Sequence, residues 1–341
     1  MGEKRTEISS LGEFGLLQRL NKTIENKLPD TITGIGDDAA VIDLGEEYGL
    51  LSTDLLLEGV HFDLTFFPLK HLGYKAISVN VSDIAAMNGI PKQVTVSMAL
   101  SNRFSVEAID ELYEGMKLAC KDFNVDLVGG DTSSSRSGLL LSISIFGRVA
   151  KDKIAYRHTA KPNDLLCVTG DLGGAYLGLQ LLEREKQVFL ANPDMQPELE
   201  GNDYVIQRQL RPEARMDVIY ELTEAGVVPT SMIDLSDGLA SDLLHICAQS
   251  GVGALIFEDK IPVDEQTYLS ATELKLNPIT AALNGGEDYE LLFTVPQAAY
   301  DQIKNNPKIT IVGYITDLKG EVLLHTNGDQ RIPLTAQGWN N

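Results

Sequence analysis

Apolar positions along this chain change period repeatedly, from two to between three and four and back. VTVSMAL (94–100) alternates as a strand does, and VEAIDELYEGMKLACKDF (106–123) repeats its apolar residues at helical spacing. VDLVGG (125–130) and LLLSISIFGRVA (139–150) return to β. Upstream, a β-like GLLS run precedes Thr53 and Asp54, and KAISVNVSDIAAMNGIP (75–91) predicts an apolar helix stopped by Asn88, Gly89 and Pro91.

The polar stretch KDKIAYRHTAKPND (151–164) interrupts this periodicity and predicts a domain boundary. Beyond it the pattern gives a strand DLLCVTG, a glycine turn GDLGG (170–174) and a helix AYLGLQLLEREKQ. A surface loop (191–201) leads to a long amphipathic helix, VIQRQLRPEARMDVIYELTEAG, interrupted near Pro212. Strand SMIDL, helix LASDLLHICAQSG, strands ALIFE and YELLFTV, helix AAYDQIKNN and strand ITIVGYI follow, then a hairpin turning at Asn327 and Gly328. This alternation predicts an α/β (α+β) chain of two domains, 1–150 and 151–341.

Composition narrows the class. The chain has 341 residues, 43% of them hydrophobic, and no run of eighteen apolar residues, so a soluble globular protein is expected. With 28 Lys plus Arg against 49 Asp plus Glu, the net charge of −21 argues against nucleic acid or an anionic membrane as partner. Cys120, Cys167 and Cys247 stand apart in apolar contexts, without zinc or disulfide spacing, and are expected to be buried thiols in a reducing cytoplasm. The charged N-terminus lacks a signal-peptide pattern. Gly2 and Thr6 match a short myristoylation pattern, but an ordinary first helix is the expectation.

The acidic residues cluster with glycine and hydroxyl residues. Asp37 and Asp38 follow two glycines in GIGDDAAVID, where an Asx-turn or a carboxylate projecting into a cleft would look alike. Ser52, Thr53 and Asp54 supply hard oxygen donors suited to Mg²⁺, though a helix cap has the same composition. Asp83 stands among Val81, Ile84 and Ala85, where an unpaired charge is costly; a metal ligand and a satisfied core Asp are both open. Asp131 ends the VDLVGG strand before a Ser/Thr-rich loop, a usual ligand position at a strand end. Asp234 and Asp237 bracket Ser236 at another strand end and could face one ion or phosphate. GDLGG could offer amides to a phosphate or be a plain turn. Neither a G-x-x-x-x-G-K-[ST] loop nor the protein-kinase motif set is present.

Taken in order, GIGDDAAV, STDLLLEGVHF, VNVSDIAAM, GGDT, DLSDGL and GGEDYELLF resemble the thiamine-monophosphate kinase family. That family belongs to the superfamily of aminoimidazole ribonucleotide synthetase and selenophosphate synthetase. The resemblance implies a two-domain fold of that superfamily, with N-terminal domains pairing in a homodimer. It also implies ATP-dependent phosphorylation of thiamine monophosphate to thiamine diphosphate, with several Mg²⁺ ions. By motif match, Asp38, Ser52, Thr53, Asp54, Asp83, Asp131, Asp234 and Asp237 would hold the metal ions, some through backbone or water. Gly130, Asp131, Arg157, Ser236 and Tyr113 would meet the nucleotide, and His61, Glu287 and Trp339 the thiamine monophosphate. The chain departs from the family after Arg157, where a Ser-Gly pair is usual, and after Trp339, where an Asp-His-Phe ending is common. It lacks the N-terminal Cys of selenophosphate synthetases and the C-terminal Cys of hydrogenase-maturation relatives.

Overall fold

The structure, a computed structural model, describes residues 12–336. Its N-terminal half contains α1 (Gly12–Asn21), β1 (Thr31–Thr33), β2 (Ala40–Asp43), β3 (Glu47–Leu57), α2 (Leu69–Ala86), β4 (Ile90–Leu100), α3 (Val106–Asp122), β5 (Asp126–Ser134) and β6 (Leu140–Ala150). The six strands form one sheet in the order β1-β2-β3-β6-β4-β5, antiparallel except between β4 and β5.

Alternation along β3 sorts its two faces. Leu50 and Leu56 are buried, with Ser52 and Asp54 on the same side, whereas Leu51, Leu55 and Leu57 are exposed. α2 packs against the inner face and α3 packs on α2. The two helices approach closely because glycines meet backbone: a Cβ on Gly73 would lie 1.9 Å from the Leu112 carbonyl oxygen, and one on Gly115 would lie 1.8 Å from that of Lys70. α2 stops where the sequence predicts, with Asn88 in the left-handed region (φ 56°).

A short 3-10 turn (Arg157–Thr159) leads into the second half. There follow β7 (Leu165–Thr169), α4 (Gly174–Ala191), α5 (Asp203–Leu210), α6 (Met216–Glu224), β8 (Ser231–Asp234), α7 (Leu239–Ser250), β9 (Gly253–Phe257), α8 (Glu265–Leu274), α9 (Pro278–Asn284), β10 (Leu291–Val295), α10 (Tyr300–Ile303), β11 (Ile309–Thr316), β12 (Val322–His325) and β13 (Arg331–Pro333). Seven strands form a second sheet, β13-β12-β9-β11-β7-β10-β8, in which only β9 and β12 run parallel.

The break expected near Pro212 separates α5 from α6. α8 and α9 were not predicted. Their capping signals are nevertheless present, since Asp264 and Asn277 accept the amides of Gln266 and Thr280 and Pro278 occupies the first turn of α9.

One local expectation is corrected and one open alternative is decided. β5 runs on to Ser134, so Asp131 lies within a strand paired to Ser97 of β4 and not at a strand end. The N-terminus of α4 is closed from inside: the Asp288 carboxylate accepts the amides of Gly173 at 2.7 Å and Ala175 at 3.3 Å. Those donors are therefore taken by the protein's own anion, and the GDLGG turn is a helix start held by a distant motif.

Candidate functional site

α2 lies between the two halves and carries a polar stripe toward the second. Lys75, Ser78 and Ser82 follow one another at helical spacing and all three are buried. Ser78 Oγ accepts the Ala214 amide at 3.0 Å, and Ser82 Oγ donates to Asp234 Oδ2 at 2.7 Å. The stripe aligns the end of β8 with the last turn of α2. Asp83, the next residue on α2, receives a 2.6 Å hydrogen bond from Ser52 Oγ of β3.

Asp38, from the glycine-tight turn before β2, joins this pair. Oxygens of Asp38, Asp83 and Asp234 all lie within 4.8 Å of one another. The Arg157 guanidinium spans both oxygens of Asp38, while the Arg157 amide donates to Asp37 at 3.2 Å. Arg157 is held charged, since Asp38, Asp37 and Asp234 outweigh the cost of its burial.

The electrostatics are those of anions pressed together. Burial, and then the neighbouring Asp38, push Asp234 up to about 7, partly offset by Ser82 and Arg157. Burial together with Asp54, Asp234 and Asp38 raises Asp83 well above the usual carboxylate range. Asp37 is likewise pushed to about 7 by burial and by Asp38. Several carboxylates crowded with so little counter-charge form a hard-oxygen donor set, which fits a divalent cation such as Mg²⁺.

Two cavities meet at this cluster. The smaller, about 300 Å³, is lined by His61, Lys75, Glu287 and Tyr289. The larger, about 950 Å³, is lined by Asp37, Asp38, Ser52, Thr53, Arg157 and His245. Asp54, Asp83, Asp234, Ser236 and Asp237 border both and form their common wall.

The smaller chamber is built by local conformation. Gly286 (φ 70°), Glu287 (φ 58°) and Tyr289 (φ 52°) are all in the left-handed region, strained for the two residues bearing side chains. Alternate residues of the segment are tied down behind it, Asp288 to the start of α4 and Glu290 to Arg208 at 2.8 Å and Arg215 at 2.7 Å. Glu287 and Tyr289 thereby face the chamber. His61 Nδ1 accepts the Leu57 amide at 3.0 Å, which places the imidazole proton on Nε2.

Most of the residues that the motifs single out thus come together, with Arg157 engaged by Asp38. Thr53 turns to the other sheet face, where its hydroxyl donates to the Ile143 carbonyl at 2.9 Å and is directed away from the cluster. Gly130, Asp131 and Tyr113 line neither chamber. Pairing places Gly130 level with Val96, Ile143 and Asp54, three strands from β3 and so roughly 14 Å away at about 4.8 Å per strand. Trp339 lies outside the described residues. Lys75 and Tyr289 were missed in the sequence; a lone Lys inside the apolar run GYKAISV was the available signal for the first.

Residues 36–149 match the family described as AIR synthase related protein, N-terminal domain, and residues 161–325 its C-terminal domain. Thiamine-monophosphate kinase of Aquifex aeolicus is 36% identical over 314 residues, covering 92% of this chain and 94% of the relative. That of Bacillus subtilis is 35% identical over 343 residues, covering 97% and 99%. The chain belongs to the thiamine-monophosphate kinase family. A solved structure described as AaThiL complexed with AMPPCP and TMP superposes with a TM-score of 0.84 at 32% identity, covering 99% of each chain. The hydrogenase maturation protein HypE, at 20% identity and a TM-score of 0.69, shares the fold.

Proposed function

We infer that this chain is a thiamine-monophosphate kinase, transferring the γ-phosphate of ATP directly to thiamine monophosphate to give thiamine diphosphate and ADP. The observation that carries this is the pair of chambers with one wall of carboxylates between them. A related structure described as complexed with AMPPCP and TMP, a nucleotide analogue and the acceptor, supports it.

The acceptor is a phosphate monoester with a second pKa of about 6, so it is largely dianionic at neutral pH and needs no strong general base. The barrier is repulsion, on the order of 4 kcal/mol for two unit charges about 4 Å apart at an effective dielectric near 20. Asp38, Asp83 and Asp234, with Asp54, Asp237 and Ser52 beside them, would hold Mg²⁺. Such ions would supply charge neutralisation to the phosphate oxygens of nucleotide and acceptor. Asp234 and Asp83 are fixed by the Ser82 and Ser52 hydroxyls, so the wall is already in place before substrates arrive. His61 and Glu287 orient the acceptor, Arg157 stands on the nucleotide side, and Ser236 meets the nucleotide from the shared wall. Transfer is in line, without a phosphoenzyme; trapping a phospho-aspartate during turnover would overturn this.

A second copy completes the site on this reading. The outer face of the first sheet carries Leu51 at 45% and Leu55 at 52% exposure, and β5, with Gly130 and Asp131, is an open edge. Pairing two such sheets in a homodimer would cover the apolar face and bring the partner's copy of the GGDT strand to the nucleotide. The presence of two separate sheets supports dividing the chain into 1–150 and 151–341. Three free, buried cysteines fit a cytoplasmic setting, and among the described residues no helix is long and apolar enough to cross a membrane.

The test is ADP release with thiamine monophosphate, free thiamine or aminoimidazole ribonucleotide precursors as acceptor, with and without Mg²⁺. Turnover only with thiamine monophosphate and Mg²⁺ is expected. Equal turnover with free thiamine would remove the phosphate-to-phosphate reading.

A further inference from the structure

Lys75 has no part in the chemistry derived so far, yet its surroundings are unusual. It is 1% exposed, on α2 of the first domain, and its Nζ lies 3.1 Å from Glu287 Oε1 of the second. Gln209 Nε2 of α5 donates to the other carboxylate oxygen at 2.8 Å. Nζ also sits 5.5 Å from the centre of the Phe67 ring. Among the described residues that line the smaller chamber, Lys75 is the one Lys or Arg, against the carboxylates of Asp54, Asp83, Asp234, Asp237 and Glu287.

We propose that Lys75 is a positioning residue: with Gln209 it fixes the Glu287 carboxylate in the acceptor chamber across the domain boundary, and so sets acceptor affinity and not nucleotide affinity. The proposal rests on the assignment of the smaller chamber to the acceptor.

Geometry separates this role from mere packing. The backbone of 286–290 is already anchored within its own domain through Asp288 and Glu290, so the loop does not need Lys75 for its path. What Lys75 supplies is the direction of one side chain. Without it the Glu287 carboxylate, one of five bordering the chamber, is held by Gln209 alone and turns away from the other anions. The larger chamber does not include Lys75, Gln209 or Glu287, which confines the effect to the acceptor side.

The experiment compares steady-state kinetics of Lys75→Met, Gln209→Leu, Glu287→Gln and the double variant Lys75→Met/Glu287→Gln, with thermal melts as a folding check. Loss of a hydrogen bond to a charged group predicts an acceptor KM raised roughly 10- to 100-fold in Lys75→Met, with the ATP KM within about twofold. The double variant should be no worse than Glu287→Gln alone, because both substitutions remove one interaction. Gln209→Leu strands no lysine and should raise the acceptor KM in the same direction, which keeps the test open if Lys75→Met fails to fold. An acceptor KM raised in Glu287→Gln but unchanged in Lys75→Met and Gln209→Leu overturns the positioning role and leaves the chamber assignment standing. A silent Glu287→Gln overturns both. Equal rises in the acceptor and ATP KM values overturn it in favour of a domain-packing contact.

Discussion

Asp83→Asn should make this protein more stable and inactive at once. Asp83 shares a 4.8 Å neighbourhood with Asp38 and Asp234, and at that separation two unit charges repel by roughly 3.5 kcal/mol at an effective dielectric near 20. Arg157 offsets part of this on Asp38. Protonation offsets more: Asp234 rises from 3.8 to about 7, and Asp83 also rises. Because these folded-state values exceed the unfolded ones, the metal-free protein loses stability as pH climbs from about 4 through 7, and the cost is absent at lower pH. Asn keeps the shape and deletes one charge. After discounting for Arg157 and bound protons, a gain of about 1–3 kcal/mol is expected at pH 8 in EDTA, or roughly 1–4 °C in Tm for a chain of 341 residues, shrinking toward zero by about pH 4. If the cluster holds Mg²⁺ as proposed, millimolar Mg²⁺ should narrow or invert the difference, because binding to the folded state would stabilise the wild type. ADP release should fall by about a thousandfold or more. A variant that melts below the wild type at pH 8 in EDTA, or that keeps a tenth of its activity, would refute the account of the cluster.

Three further outcomes follow from the same geometry. If the partner's Asp131 completes each site, then mixing inactive Asp83→Asn and Asp131→Asn proteins gives about half mixed dimers with one intact site, restoring roughly a quarter of wild-type turnover; no recovery after subunit exchange counts against the shared site. Glu290→Leu strands Arg208 and Arg215 beside a fully buried position and should cost about 3–5 kcal/mol, read as a lower urea midpoint; an unchanged midpoint would show that the arginines re-pair elsewhere. His61→Ala should raise the acceptor KM about tenfold with little change for ATP, and the reverse pattern would exchange the roles of the two chambers.

What the sequence discloses depends on whether the signal is local. α2 and its stop, the strand alternation of β4 and β6 and the glycine-flanked Asp38 are legible because period and turn chemistry act within a few residues. The resemblance orders the motifs, and the structure brings Asp38, Asp83 and Asp234 together from three distant segments. The GGEDYE segment is different. Composition suggests a strand running into YELLFTV, whereas β10 starts at Leu291 because Tyr289 adopts φ 52°. That conformation is imposed by partners over a hundred residues away, Gly173 and Ala175 for Asp288 and Thr169 for Glu290. No window of sequence carries such information. The direction of Thr53 was legible in principle, since a period of two puts it opposite Ser52 and Asp54.

The distribution of positive charge explains why so acidic a chain can join two phosphates. Of the protein cations bordering the chambers, Arg157 is engaged by Asp38 and Lys75 by Glu287, so each already faces a protein anion. Each is partly neutralised by that partner and so offers less net positive charge to an incoming phosphate. Were phosphates bound by fixed Lys and Arg, the same cations would grip thiamine diphosphate and ADP after transfer. A wall of carboxylates behaves oppositely. On the proposed reading it would repel phosphate on its own and accept it only together with divalent ions, which would let product and metal leave together. On this reading affinity should follow free Mg²⁺ steeply for both nucleotides and both thiamine phosphates. Calorimetric titration with ADP in EDTA should then give no measurable binding, and micromolar binding there would show that side chains, not ions, hold the phosphates.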